Sequence, residues 1–453
     1  MQITFLGATR TVTGAKYLVR AGAGSVLVDC GLFQGLKALR LRNWAPLPIE
    51  PARLDAVVLT HAHLDHAGYL PLLAKQGFAG RVHCSHATYE LCRILLPDSG
   101  RLQEEEASFA NRHGFSKHAP ALPLYTEEEA QRCLRLFAPA RFDEETALPH
   151  GLRVRLTPVG HILGAAAVTL QGEGRTVVFS GDVGRPHDPI MRAPAAIEAA
   201  DYLVVESTYG DRVHAAEPPS IALGEAINRT VSRGGKVIVP SFAVGRAQSL
   251  LYSIHRLKAD GVIDAAIPVY LDSPMAVDVT ALYARFRSLH RLSADECRAM
   301  CAAAKIVNTP EESRALDQRA YPAVIVAASG MATGGRVLHH LRALAPDPRN
   351  TILFSGYQAA GTRGGRIVAG EPAVKIHGHM VPIRAEVAQL DGLSAHADRI
   401  ELLEWLRGFR TPPRRTFVTH GEPVAAEAMA AQLRDVLRWD TAVPDYLDTV
   451  ELS

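Results

Sequence analysis

The segment His61-Ala-His-Leu-Asp-His66 crowds three imidazoles and a carboxylate behind an apolar run at 54–60. A protein core would leave several of those rings without partners, and a solvated loop has no reason to select nitrogen ligands at alternating positions. Zinc supplies such a reason, because neutral imidazole nitrogen and carboxylate oxygen are its usual ligands outside thiolates. Histidines two residues apart cannot share a helical face, but His61 and His63 converge on one ion if the chain leaves a strand and turns there. Asp65 and His66 follow one turn on and can reach a second ion, so the spacing suggests two metals. The hexad leaves coordination incomplete. The best candidates for the missing ligands are His161 in Pro158-Val-Gly-His-Ile-Leu-Gly164, Asp182 in Phe179-Ser-Gly-Asp-Val-Gly184 and His420 in Val418-Thr-His-Gly-Glu422.

These candidates lie at the ends of elements. Apolar runs at 176–180, 202–206, 236–241, 323–329, 351–355 and 416–420 alternate with helical patterns, an α/β rhythm that predicts much parallel pairing. Each run stops in residues with chemistry: Ser180-Gly-Asp182, Glu206-Ser-Thr-Tyr209, Ser241-Phe-Ala-Val-Gly-Arg246, Ser329-Gly-Met331, Ser355-Gly-Tyr357 and Thr419-His420-Gly-Glu422. Ligands bind at such carboxyl ends of open α/β sheets, and six in one chain favour a shared cleft. Upstream, runs at 2–6, 16–20 and 25–29 separated by small-residue turns predict antiparallel strands. Residues 84–150 carry an acidic helical stretch around 103–106 and a capped helix at Thr126-Glu-Glu-Glu129, and they read as an insertion over the core.

A chain of 453 residues exceeds what one hydrophobic core serves, so at least two domains are expected. With 47% hydrophobic and 21% charged residues, the composition is that of a soluble globular protein rather than a disordered one. No apolar stretch approaches the roughly 20 residues that span a bilayer, so no membrane partner is expected. The net charge of +2 neither demands nor excludes nucleic acid, and the cluster Arg407, Arg410, Arg414 and Arg415 reads as a solvated face before a phosphate footing. Six scattered cysteines and an opening Met-Gln-Ile-Thr-Phe without a leader pattern fit the cytoplasm. Cys297 and Cys301, one helical turn apart, read as small core residues rather than a metal pair.

The ordered motif set resembles the β-CASP group of metallo-β-lactamase-fold nucleases, specifically bacterial relatives of the eukaryotic pre-mRNA 3′-end-processing endonuclease, over essentially the whole chain. The His-x-His-x-Asp-His motif alone is shared with glyoxalase and thioesterase relatives; the complete set with Asp29, Glu206, His396 and His420 is far more specific. The resemblance implies an α/β fold, a metallo-β-lactamase αββα sandwich (1–208 and 382–453) with an inserted α/β β-CASP domain at 209–381. It implies two zinc ions, one on His61, His63, His161 and Asp182, the other on Asp65, His66, Asp182 and His420, with Asp29 behind the ligands. It further implies an endoribonuclease acting on single-stranded RNA by a two-metal mechanism, with a hydroxide nucleophile, His396 as general acid, Glu206 orienting it, and Asp65 in the catalytic set. A homodimer is left open.

Phosphate contacts are expected from Ser241 and Arg246, from Ser329, Gly330 and Arg336, from Ser355, Tyr357, Arg363 and Arg366, and from Ser394, because hydroxyls, close backbone amides and guanidinium forks suit phosphate. Arg246 and Arg336 could equally pair with structural carboxylates. His377 and His379 match no ligand and read as a hinge or wall feature. The competing readings are 5′-exoribonuclease action in the same site, a glyoxalase- or thioesterase-like hydrolase of small molecules, and a non-catalytic scaffold. The last requires lost ligands, and none is lost here.

Overall fold

The computed structural model describes residues 1–453 apart from 115, 216, 357 and 360 and the side chain at 391. The chain forms two compact units, Met1–Val213 with His396–Ser453, and His214–Ala395.

The first unit holds two seven-stranded sheets. One is antiparallel across Gln2–Phe5, Tyr17–Ala21 and Gly24–Val28, as expected, and parallel through Ala56–Val58, Arg81–Ser85 and Phe137–Ala140. The other pairs Arg153–Pro158, Ala166–Gly172 and Arg175–Phe179 antiparallel, then Arg175–Phe179, Tyr202–Val205 and Arg415–Val418 parallel. Alternation along the strands turns Ile3, Phe5 and Val19 of one sheet toward Val168, Phe179 and Phe417 of the other, and these form one buried core. Helices His86–His113 and Pro423–Gln432 pack on the two sheets.

Residues 84–150 are not an insertion. Arg81–Ser85 and Phe137–Ala140 are neighbouring parallel strands, and the helices His86–His113 and Glu127–Cys133 form the crossover that parallel pairing requires. Thr126 and Glu129 close the expected capping box, whereas the acidic polar face of the longer helix hides its role as a sheet connection.

The second unit is built on a six-stranded parallel sheet, ordered Lys305–Ile306, Val269–Asp272, Ala323–Ala327, Lys236–Pro240, Thr351–Phe354, Glu386–Gln389. Its central strands are buried throughout, which is why they read as unbroken apolar runs. The edge strand Glu386–Gln389 carries this unit to 395, beyond the return at 381 expected from the sequence; a four-residue, half-exposed edge strand leaves little hydrophobic signal. No helix among the described residues is long and apolar enough to cross a membrane.

Candidate metal centre

The strand Ala56–Val58 ends three residues before His61, and the short helix Leu64–Ala67 begins after His63, so the motif straddles the strand-to-helix turn its spacing requires. Two close approaches hold that turn. A Cβ at Gly31 would lie 1.5 Å from the Asp65 carbonyl oxygen, and Gly181, at φ +56°, packs on Thr60. Asp29 and His420 adopt φ of 58° and 50°, a costly conformation for residues with a Cβ, kept where the surroundings dictate it.

Four donor atoms gather first. His61 Nε2 lies 3.1 Å from His63 Nδ1, which lies 3.3 Å from His161 Nε2; Asp182 Oδ2 stands 3.4 Å from His61 Nε2 and 3.5 Å from His161 Nε2. A tetrahedral ion with ligands at about 2.0–2.1 Å separates its donors by about 3.3–3.4 Å, so these spacings are those of a zinc shell. A second group follows: His66 Nε2 lies 3.0 Å from His420 Nε2 and 3.3 Å from Asp182 Oδ1, and Asp65 Oδ2 lies 3.8 Å from His420 Nε2. Asp182 therefore turns one oxygen to each group, and its buried Oδ1 accepts no hydrogen bond among the described residues.

The backing hydrogen bonds fix the tautomers that metal binding needs. Asp29 Oδ2 takes the Nδ1 proton of His66 at 2.8 Å. Thr60 Oγ1 donates to Asp29 and accepts from His61 Nδ1 at 3.0 Å. Thr208 Oγ1 donates to the His420 carbonyl and accepts from His420 Nδ1 at 3.1 Å. With those protons committed, the Nε2 atoms of His66 and His420 face each other at 3.0 Å, an arrangement that needs a metal ion or a shared proton between them. Burial opposes the His66 cation, but the charges of Asp182 and Asp29 raise its pKa and so favour that proton when no metal is bound. The residues present thus fit a metal. Neither Thr60 nor Thr208 was singled out in the sequence; their signal, a threonine beside a ligand at a strand end, is too common to stand out.

Burial holds His61 and His161 well below their ordinary pKa and lowers His63 to about 4, so all three are neutral donors at neutral pH. Asp182 is opposed by burial, but the surrounding imidazoles hold it far below the usual carboxylate range. His396 stands at the edge of the donors, its Nε2 3.9 Å from Asp182 Oδ2 and its ring 4.4 Å from that of His161. Burial disfavours its cation, yet the charges of Glu206 and Asp182 and its hydrogen bond to Glu206 raise its pKa. Glu206 is fixed by Val183 N at 2.6 Å, and its own backbone amide donates to Ser180 Oγ.

Three of the six expected strand ends, those at Asp182, Glu206 and His420, meet here. The others gather at the carboxyl ends of the parallel sheet in the second unit, where Arg246 lies over Gly356 and Phe242 over Gly330. Ser241, Ser355 and Ser394 are buried, and Ser329 Oγ accepts from the amides of Thr333 and Gly334. Arg336 takes the alternative, structural pairing: its guanidinium donates to Asp272 Oδ1 and to the carbonyls of Val307 and Asn308. Arg363 likewise donates to three carbonyls, and Arg366 pairs with Glu371. Tyr357 lies outside the described residues. His377 sits at a turn with its ring 4.7 Å from that of His339. In the first unit, Arg407, Arg410, Arg414 and Arg415 pair with Glu404, Glu198, Asp201 and Asp440, the solvated face expected.

Residues 13–226 match the Metallo-beta-lactamase superfamily, residues 247–367 the Beta-Casp domain, and residues 380–444 the Zn-dependent metallo-hydrolase RNA specificity domain. Ribonuclease TTHA0252 of Thermus thermophilus is 40% identical over 436 residues, covering 93% of each chain. The chain belongs to the β-CASP metallo-β-lactamase family. Transcription termination factor FttA of Methanocaldococcus jannaschii is 30% identical across this whole chain and 72% of its own. A solved structure of a protein of unknown function from Enterococcus faecalis shares the fold, with a TM-score of 0.54 at 13% identity and 99% coverage of both chains. The resemblance read from the motifs is thereby established, as is the fold class of this β-CASP protein.

Proposed function

We propose that this β-CASP protein is a two-zinc endoribonuclease that hydrolyses phosphodiester bonds of single-stranded RNA, with His396 as general acid. One observation carries the reading: Asp182 joins two donor groups, and Nε2 of His396, itself held by Glu206, stands 3.9 Å from Asp182 Oδ2. His61, His63, His161 and Asp182 would hold one ion, and Asp65, His66, Asp182 and His420 the other. Two bound zinc ions supply Lewis acidity toward phosphate oxygens and bring the pKa of water toward neutrality.

The chain's own residues supply the remainder. Glu206 binds Nδ1 of His396, 3.1 Å away, which leaves the Nε2 proton facing the donor groups. As water adds to phosphorus and the bond to the ribose 3′ oxygen breaks, that proton passes from Nε2 to the departing oxygen. The match to an RNA specificity domain and the ribonuclease relative support RNA as substrate. Incubating 5′-labelled and 3′-labelled RNA with the zinc-loaded chain tests this. Internal fragments in both label sets are expected, with His396→Ala slowing their appearance. Release of mononucleotides from the 5′ end alone would replace endonuclease with exonuclease, and cleavage unaffected by His396→Ala would discard the acid.

A further inference from the structure

The chain contains three tryptophans. Trp405 and Trp439 are buried, but Trp44 is 58% exposed, beside Leu41 at 55% and Leu36 at 49%. A protruding tryptophan on a slack loop would mean little. This one is built in. Asn43, its buried neighbour, accepts from Phe33 N at 2.9 Å and donates to Phe33 O at 2.8 Å, hooking the segment onto the chain ten residues back. Arg42 adds a second hold, its guanidinium 4.1 Å from the Tyr446 ring and 5.5 Å from the Phe33 ring. Residues 34–48 include Lys37, Arg40 and Arg42 and not a single carboxylate. Lys37 and Arg40 are exposed and form no ion pair among the described residues. Arg40 lies four residues before Trp44 along successive helical turns, a spacing that puts residues on one face.

The segment also grows directly out of the metal centre's support. Cys30 N donates to His66 O at 2.6 Å and Leu32 N to Leu64 O at 2.8 Å, so the stretch 29–33 that follows the strand Gly24–Val28 is bonded to the helix bearing Asp65 and His66. A flat aromatic face with exposed cations and no carboxylate in its own segment matches single-stranded nucleic acid, in which a base stacks and its phosphates meet the charges.

We infer that Trp44, with Lys37 and Arg40, is a stacking platform that holds a nucleobase of single-stranded RNA outside the cleavage site. This rests on the ribonuclease reading, and the test separates the two. The zinc-loaded full chain and its Trp44→Ala and Trp44→Phe variants are assayed on an unstructured oligoribonucleotide and on bis(p-nitrophenyl) phosphate, a diester too small to reach the platform. Trp44→Ala should raise KM for the oligoribonucleotide roughly tenfold with kcat nearly kept. Trp44→Phe should restore most of the loss, and turnover of the small diester should not change. In the unsubstituted chain, tryptophan emission should be quenched on titration with the oligoribonucleotide, and Trp44→Phe should abolish that quenching. An unchanged KM in Trp44→Ala overturns the platform while leaving the ribonuclease reading intact. Conversion of a dimer to a monomer by Trp44→Ala, seen by light scattering, overturns it in favour of a protein interface. Turnover of the small diester with no RNA cleavage by the unsubstituted chain fails the ribonuclease reading itself.

Discussion

Glu206 grips His396 at Nδ1 with both carboxylate oxygens, at 3.1 and 3.2 Å, although the two residues are 190 positions apart in the chain. Glu206 is 1% exposed, so its charge acts on the imidazole with little screening from solvent. Burial opposes the His396 cation, and Glu206 does most to restore it. An acid must be protonated before it can give its proton, so activity should fall as pH rises through the His396 pKa. Glu206→Gln removes the charge and keeps the shape. It should move the alkaline limb of the pH–rate profile to lower pH, while His396→Ala should cost on the order of 10²–10⁴ in kcat and flatten that limb. A Glu206→Gln profile superimposable on that of the unsubstituted enzyme would remove Glu206 from the proton step.

Thr60 ties Asp29 to the ligand His61: its hydroxyl reaches both Asp29 oxygens and His61 Nδ1, and its amide donates to Asp29 Oδ1 at 2.7 Å. Thr60→Val keeps the volume and the amide contact but leaves His61 Nδ1–H without its acceptor. Zinc affinity, measured by competition with a chromogenic chelator, should fall about 10- to 100-fold. Thr60→Ser, which retains the hydroxyl, should stay within a few-fold of the unsubstituted protein.

Metal counting distinguishes the donors by group. His63 belongs to the first group alone and Asp182 to both. Elemental analysis after dialysis should give two zinc ions per unsubstituted chain, about one for His63→Ala and fewer than one for Asp182→Ala. Chelation should also lower the melting temperature, because the buried donors then face one another without a cation. Two ions retained by Asp182→Ala would break the shared-ligand arrangement.

Much of this centre was legible because metal chemistry restricts residue types. Few sites other than a metal want His61, His63 and His66 at that spacing, and Asp182, Glu206 and His420 each end a strand where the sheet delivers side chains to one place. The phosphate assignments were less legible. Arg336 stands in a Gly-rich loop like a phosphate-binding arginine, and only the fold brings Asp272, 64 residues away, to its guanidinium. The segment 84–150 was misread for a related reason: a parallel crossover is defined by the pairing of its flanking strands, which local patterning does not carry.

His340 is fully buried, with Nε2 2.8 Å from Asp272 Oδ2 and Nδ1 2.7 Å from Asp317 Oδ1. Asp272 is shared further with Arg336 and Ser313. Burial opposes the imidazolium, but hydrogen bonds to two carboxylates outweigh it and lift His340 to about 9. A pKa raised on folding contributes stability that is fully present below the unfolded value near 6.5 and is lost as pH rises through about 9. At its largest that contribution is roughly 3 kcal/mol. His340→Asn also leaves buried carboxylate charge uncompensated, so it should destabilise by a few kcal/mol near pH 6. The gap in urea midpoint between the unsubstituted chain and His340→Asn should therefore narrow from pH 6 to pH 9.5. Comparing variants at each pH cancels the titration of groups they share. A gap of constant width would mean that His340 is buried as the neutral ring, its two carboxylate contacts notwithstanding.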